Sequence, residues 1–315
     1  MRHFRTISDV SAIEFRDILG IAERLKKEFL AGNRPKLLAQ RSLALLFEKP
    51  SLRTRLSFEA GMIQLGGVPI YMGQDVGWRT RENVGDFVRV LGEYCDFLVC
   101  RTYAHANIDE LASHNSLVVL NGLSDTEHPC QAMADIMTMQ ELEPNLQGRQ
   151  ITFVGDGNNV VRSLIQVAAL CGMRFRLLGP SQYHLPCQWI EGIRQAFPKL
   201  DFRQSENVPE SLAEADFVYT DVWTSMGQEK EASSRREVFR PYQINRALMS
   251  HAPKHCRVLH CLPARRGEEI TDDVIDAPNS HVIQQAGNRM HLQKGLLVWL
   301  AIQRGWLDSK SVTSL

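Results

Sequence analysis

At 315 residues the chain is long for one compact domain and sufficient for two, each able to bury its own core. Lys plus Arg and Asp plus Glu are equal at 36 each, so no global basic field exists to collect nucleic acid or anionic lipid, and any anion site must be local. The longest apolar runs, such as "LALLF" at 43–47, fall far short of the ~18 residues that span a bilayer. The amino terminus lacks the apolar core of a secretory signal, and seven scattered cysteines suit reduced thiols. The expectation is a cytoplasmic enzyme with neither membrane nor nucleic-acid partners.

Short β-rich runs alternate with longer helical patterns along the chain, the signature of βα units and mainly parallel sheets flanked by helices. The first half supplies "SLALLF" (42–47), "VPIYM" (68–72), "FLVC" (97–100) and "LVVL" (117–120). The second supplies "ITFVG" (151–155), "FRLLG" (175–179), "DFVYT" (216–220), "RVLHC" (257–261) and "HVIQ" (281–284), so two sheets in two α/β domains are expected. Between them "ELEPNLQGRQ" (141–150) interrupts a helical pattern at Pro144, Asn145 and Gly148, which places the boundary between a domain over 1–143 and one from 144. "GQEKEASSRRE" (227–237) reads as a solvated charged stretch. "NRMHLQKGLLVWLAIQRG" (288–305) carries apolar residues at helical spacing and ends on Gly305, which predicts a terminal helix packed on a core.

Five places carry candidate chemistry. In "FEKPSLRTRLSFE" (47–59) Pro50 breaks regular structure and Ser51 is a good N-cap, so a helix starts there and closes at Gly66 and Gly67. Its first turn offers unpaired N–H groups and a positive dipole end, with Ser51, Arg53 and Thr54 in or beside it. Arg53 suits a bidentate grip on phosphate, whereas Arg55, about 200° further round, is expected to pair with Glu59. An ordinary capped helix with surface arginines is the alternative. "SDTEHPCQAMADIMTMQE" (124–141) is a second helix start, with Pro129 first, His128 beside the cap and Gln131 at a capping-box position; His128 either donates to a polarised oxygen or simply caps.

"RVLHCLPARRGEE" (257–269) ends a strand at Cys261, where open α/β sheets bind ligands, although a lone cysteine also serves as a small buried hydrophobe. His260 and Cys261 are adjacent strand residues and point to opposite faces, which argues against a metal site. "DFVYTDVWTSMGQE" (216–229) places Asp221 after a strand, suited to an ammonium partner or to a turn. "ITFVGDGNNVVRSL" (151–164) is strand, glycine turn and helix, but Val160 stands where the third glycine of a dinucleotide site belongs, and Asn158 and Asn159 instead offer amides to a zwitterion.

Taken together, "SLRTR", "HPCQ", "GDGNN", "DVWTSMG", "HCLP" and "AGNRMH" resemble the ordered motif set of the ornithine carbamoyltransferases, over nearly the whole chain. The resemblance implies two α/β domains, with a carbamoyl phosphate-binding domain over 1–143 joined by the returning C-terminal helix at about 287–315, and an ornithine-binding domain over 144–286. It also implies a homotrimer or a multiple of trimers, with no cofactor and no metal. Carried over by position, it implies that Ser51, the Leu52 backbone, Arg53, Thr54 and Arg101 hold the phosphate of carbamoyl phosphate. His128, Gln131, Cys261, the Leu262 backbone and Arg289 surround the carbamoyl group, and Asn159, Asp221, Ser225 and Met226 hold ornithine. Arg53, Arg101, His128, Cys261 and Asp221 are the implied catalytic set. The chain departs from the family pattern at Leu52, usually threonine, at Gly287, commonly glutamate, and in "GQDVGWRTRENVGDF" (73–87), where Arg79 or Arg81 is the candidate to substitute for a basic residue that reaches a neighbouring subunit. N-acetyl-ornithine, N-succinyl-ornithine and putrescine are alternative acceptors; a nicotinamide oxidoreductase or a non-catalytic homologue are the readings from other classes.

Overall fold

The computed structural model describes residues 1–224, 229–313 and 315. The chain divides into two compact units, residues 1–137 with 287–315, and residues 138–286.

The first unit carries β1 (Ser42–Phe47), β2 (Val68–Met72), β3 (Phe97–Arg101) and β4 (Val118–Leu123), with α1 (Ala12–Leu30), α2 (Leu52–Gln64), α3 (Val84–Tyr94), α4 (His105–Ser113) and α5, which spans Pro129–Leu142 and begins there. All pairings are parallel, in the order β2-β1-β3-β4. The central strands are buried on both faces, so they read as continuous apolar runs. Ala44, Leu46, Leu98, Cys100 and Val119 face one core together with Val84, Val88 and Leu91 of α3 and Ile108 and Leu111 of α4. Leu43, Leu45, Phe97 and Val99, one residue out of phase, are buried as well. α2 ends as its sequence requires, with Gly66 in the left-handed region at φ +86°, where a side chain would be strained.

The second unit carries β5 (Gln150–Val154), β6 (Arg174–Leu178), β7 (Asp201–Ser205), β8 (Phe217–Thr220) and β9 (Arg257–His260), parallel in the order β7-β6-β5-β8-β9. Its helices are α6 (Asn159–Leu170), α7 (Cys187–Ala196), α8 (Val208–Leu212), α9 (Ala232–Phe239), α10 (Arg246–Met249) and α11 (Asp272–Ile275). α12 (Val282–Gln303) follows and runs into the first unit, where Gly295 lies so close to Ile18 and Ala22 of α1 that an added Cβ would sit 2.8 Å from their backbone atoms. α13 (Lys310–Thr313) ends the chain. Among the described residues no helix is long and apolar enough to cross a membrane.

Two expectations differ from what is found. "HVIQ" is not a strand but the start of α12: His281 donates its N–H to the Val258 carbonyl at 2.9 Å beside β9, then turns away as helix. A four-residue apolar run does not distinguish these states. β7 went unread because "DFRQS" is polar, as an edge strand permits; Phe202 is its one fully packed residue. The compact units divide at 137/138, inside α5, which runs on to Leu142 before the turn over 144–148 leads into β5.

Candidate active site

In the first unit the strand order reverses between β1 and β3, the point at which open α/β sheets leave a crevice beyond their carboxyl ends. Phe47 is in register with Arg101, so the segment after β1 and the end of β3 lie side by side. Ser51 caps α2: its backbone is extended, and its Oγ accepts the Thr54 N–H at 3.3 Å. Leu52 opens the first turn with its side chain exposed, which leaves its backbone N–H as the relevant group. Arg55 pairs with Glu59 at 2.9 Å and stacks 3.7 Å over Tyr71, as its helical position requires.

Thr54 is fully buried and is the meeting point. Its Oγ1 accepts from Arg289 Nη2 at 2.9 Å and from Arg101 Nη1 at 3.4 Å. A hydroxyl has two acceptor positions and one proton, so Thr54 retains an O–H to donate. Arg289 Nη1 donates to Gln131 Oε1 at 2.7 Å, and Gln131 Nε2 donates to the buried Asp135 at 2.8 Å. Gln131 therefore orients a guanidinium and does not form a capping box; Asp135, its partner one turn on, was not singled out in the sequence. His128 precedes Pro129 at the start of α5 and is buried.

The electrostatics show how tightly these groups are drawn together. Arg101 is pushed down to about 10, first by burial and then by the fields of Arg289 and Arg53. His128 is held well below its ordinary 6.5 by burial and by Arg289, Arg101 and Arg53 in turn. Three guanidiniums that repel one another around a neutral imidazole are matched to a ligand carrying at least two negative charges.

The imidazole also gives a pH prediction. The unfolded chain takes up a proton on His128 below pH 6.5 and the folded chain does not, so stability is full above 6.5 and falls as pH drops below it. The His128 contribution is up to about 1.4 kcal/mol per pH unit in that window. Urea midpoints between pH 7.5 and 5.5 should fall less steeply for His128→Gln than for the native chain.

In the second unit the reversal lies between β5 and β8, and Val154, Thr220 and His260 are in register. Asn158 caps α6, accepting Val160 and Val161 N–H groups at 3.0 and 3.1 Å, and donates Nδ2 to Asp221 Oδ2 at 3.2 Å. Asp221 Oδ1 accepts the Val222 N–H at 2.8 Å. Asn159 follows as the first residue of α6. Gly157 is required by close packing, since a Cβ there would lie 2.9 Å from the Tyr183 carbonyl. The glycine turn is thus explained without a nucleotide phosphate. Ser225 and Met226 lie outside the described residues.

Cys261 follows β9 and is buried. Leu262 is left-handed at φ 55°, a conformation that costs a branched residue about 1–2 kcal/mol. His260 holds it: Nδ1 accepts the Leu262 N–H at 2.8 Å, which leaves Nε2–H to donate to Glu269 Oε1 at 3.1 Å. His260 and Glu269 are both wholly buried, and neither was assigned a role from the sequence. Donor atoms of Asp221, His260 and Cys261 lie within 4.8 Å of one another. Both His260 nitrogens are already engaged, so the cluster offers no free imidazole lone pair to a metal. Arg235, expected on a solvated stretch, is instead buried: it ion-pairs with Asp156, donates Nε to the Trp223 carbonyl and lies 4.5 Å over the Tyr183 ring. It ties the turn after β5 to the segment after β8. Phe239, one helical turn on, also lies under it at 5.5 Å, but Tyr183 and its ion-pair partner Asp156 are distant in sequence.

Two parallel sheets, each with polar side chains gathered where its strand order reverses, define a two-domain α/β protein of the kind that binds small ligands beyond its strand ends. The family model for the aspartate/ornithine carbamoyltransferase carbamoyl-P binding domain matches residues 2–141, and that for the Asp/Orn binding domain matches residues 147–300. An ornithine carbamoyltransferase of Anoxybacillus flavithermus is 43% identical over 302 residues, covering 95% of this chain and 96% of the relative. One from Methanopyrus kandleri is 44% identical over 302 residues, covering 95% and 96%. The structure of the Pyrococcus furiosus ornithine carbamoyltransferase superposes with a TM-score of 0.91 at 42% identity, covering 95% of this chain and 96% of that one. The chain belongs to the aspartate/ornithine carbamoyltransferase family.

Proposed function

We infer that the chain transfers the carbamoyl group of carbamoyl phosphate to the side-chain amine of L-ornithine, giving L-citrulline and phosphate. The observation that carries this is the convergence of Arg101, Arg289 and Arg53 around Thr54 and a neutral His128, a constellation that suits a doubly charged acyl phosphate. Ser51, the Leu52 N–H, Arg53, Thr54 and Arg101 take the phosphate; Gln131 and Arg289 orient the carbamoyl group. His128, Arg53, Thr54 and Arg101 stabilise the charge that develops on the carbamoyl oxygen as nitrogen attacks, which lowers the barrier more than it strengthens ground-state binding. Cys261 and the Leu262 backbone complete the carbamoyl pocket. Asn159, Asp221, Ser225 and Met226 receive ornithine, and Asp221 with Cys261 orients its amine and takes its proton. The names of the relatives support ornithine over other acceptors.

A homotrimer, or a multiple of it, is supported by an apolar surface on the first unit. Leu52, Leu56 and Ile63 of α2 and Val68, Ile70 and Tyr71 of the edge strand β2 are all exposed, and an uncovered edge strand with apolar side chains invites a partner. Cytoplasmic residence accords with cysteines that form no disulfide among the described residues. The test is citrulline formation with carbamoyl phosphate and ornithine, run beside N-acetyl-ornithine, N-succinyl-ornithine and putrescine, with the mass in solution measured on the same sample. Turnover with ornithine by an assembly of three chains or a multiple is expected. Turnover with only an acylated ornithine or only putrescine overturns the acceptor.

A further inference from the structure

The carboxylate of Glu48, three residues before Ser51, does something the transfer chemistry above leaves unused. Oε1 accepts from Trp78 Nε1 at 2.7 Å and Asn107 Nδ2 at 3.2 Å; Oε2 accepts from Thr102 Oγ1 at 2.6 Å and the Tyr103 N–H at 2.8 Å. Its own N–H donates to the Arg101 carbonyl at 2.9 Å. One ionised carboxylate has about four acceptor positions, and here four donors from three separate stretches of chain fill them. Trp78 is nearly buried, seated in the core cluster with its ring 5.2 Å from Phe87. The next residue, Arg79, is left-handed at φ 59° and bonds Asn107 at 2.8 Å and Glu110 at 2.6 Å. Arg79, one of the two arginines that were candidates to reach a neighbouring subunit, is therefore engaged within its own unit.

We propose that Glu48 and Trp78 are positioning residues for carbamoyl phosphate, the carboxylate locking together the ends of β1 and β3 from which Ser51 to Thr54 and Arg101 depart. Thr102 and Tyr103 directly follow Arg101, and Lys49 and Pro50 alone separate Glu48 from Ser51. Arg101 is buried against two like charges, so it stays in place only if its strand end cannot shift; displacements near 1 Å are enough to lose most of the benefit of a positioned group. Trp78 closes the fourth side of this lock and draws the turn at 77–82 onto the same strand ends.

The inference rests on the reading that Ser51, Arg53, Thr54 and Arg101 hold the phosphate, and its test separates the two. Glu48→Gln keeps the shape but turns an NH2 toward two donors. It is expected to raise the KM for carbamoyl phosphate about tenfold, with the ornithine KM within twofold of native. Trp78→Phe keeps an aromatic ring, though a smaller one, and removes one donor, and about a threefold rise is expected. Arg53→Ala is the control for the site itself. If it raises the carbamoyl phosphate KM while both other variants leave that KM within twofold of native, the positioning role is overturned and the site stands. If Arg53→Ala also changes nothing, the site reading fails with it. Should Glu48→Gln not fold, Trp78→Phe decides by the same criterion. A merely structural role would lower the melting temperature of the variants and leave both KM values unmoved, which also overturns the proposal.

Discussion

Replacing Arg101 by methionine is expected to lower kcat/KM for carbamoyl phosphate by about three orders of magnitude and, in the same protein without ligand, to raise the melting temperature. Both effects have one cause. The guanidinium is buried with the fields of Arg289 and Arg53 upon it, and its pKa is pushed down to about 10. A cation whose pKa is lowered by folding opposes folding wherever it is charged. That penalty is present throughout the working pH range, where the guanidinium stays charged. It amounts to a few kcal/mol, on the order of 1.4 per pKa unit. Methionine removes the charge and keeps most of the stem packing, so part of that energy returns to the native state, against a lost bond to Thr54. The dianion that relieves the repulsion in the native enzyme should raise its melting temperature on addition of inorganic phosphate, and raise that of Arg101→Met much less. If the variant keeps native kcat/KM, or gains no stability without ligand, the three arginines are not an anion site built at the expense of the fold.

How much of this could be read from the chain depends on whether a feature is local. The buried central strands and the cap of α2 are written in short runs, because a buried parallel strand must be apolar and a cap is a side chain at a fixed offset. Hence Ser51 and His128 were found at helix starts and Asp221 and Cys261 beyond strand ends. Features requiring two distant stretches were not legible. Arg235 sits in a run of charges, and only the ring of Tyr183 and the carboxylate of Asp156 make it a buried clamp. The Trp78 to Glu48 bond joins residues thirty positions apart. Asn158 shows a subtler limit: its amide offers itself to a ligand in the sequence, whereas in the structure it caps α6 and donates to Asp221. A sequence offers an amide at a position and cannot say whether it meets a ligand or a neighbouring side chain.

The second large effect expected is on the acceptor side, at Asp221. An amine resembling that of lysine, with a pKa of about 10.4, is only about 0.1% neutral at pH 7.5, and only the neutral form has a lone pair with which to attack. The rate at low ornithine should therefore rise about tenfold per pH unit between pH 7 and 9 in the native enzyme. Asp221 already accepts from Asn158 and from the Val222 N–H, one bond on each oxygen, so each oxygen has a second acceptor position for an ammonium. Asp221→Asn preserves the shape and removes the charge. Its kcat/KM for ornithine is expected to fall about a hundredfold or more, with the carbamoyl phosphate KM within twofold of native. The pH slope should survive, because the ionisation it reports belongs to the substrate. Comparing acceptors of different basicity then separates the two roles of the carboxylate. If it takes the proton, an amine of lower pKa, already neutral at the working pH, should lose far less from Asp221→Asn than ornithine does. If it only anchors the ammonium, the two amines should lose alike, and the acceptance of the proton must be assigned elsewhere, with the Cys261 thiol next to His260 the first group to replace.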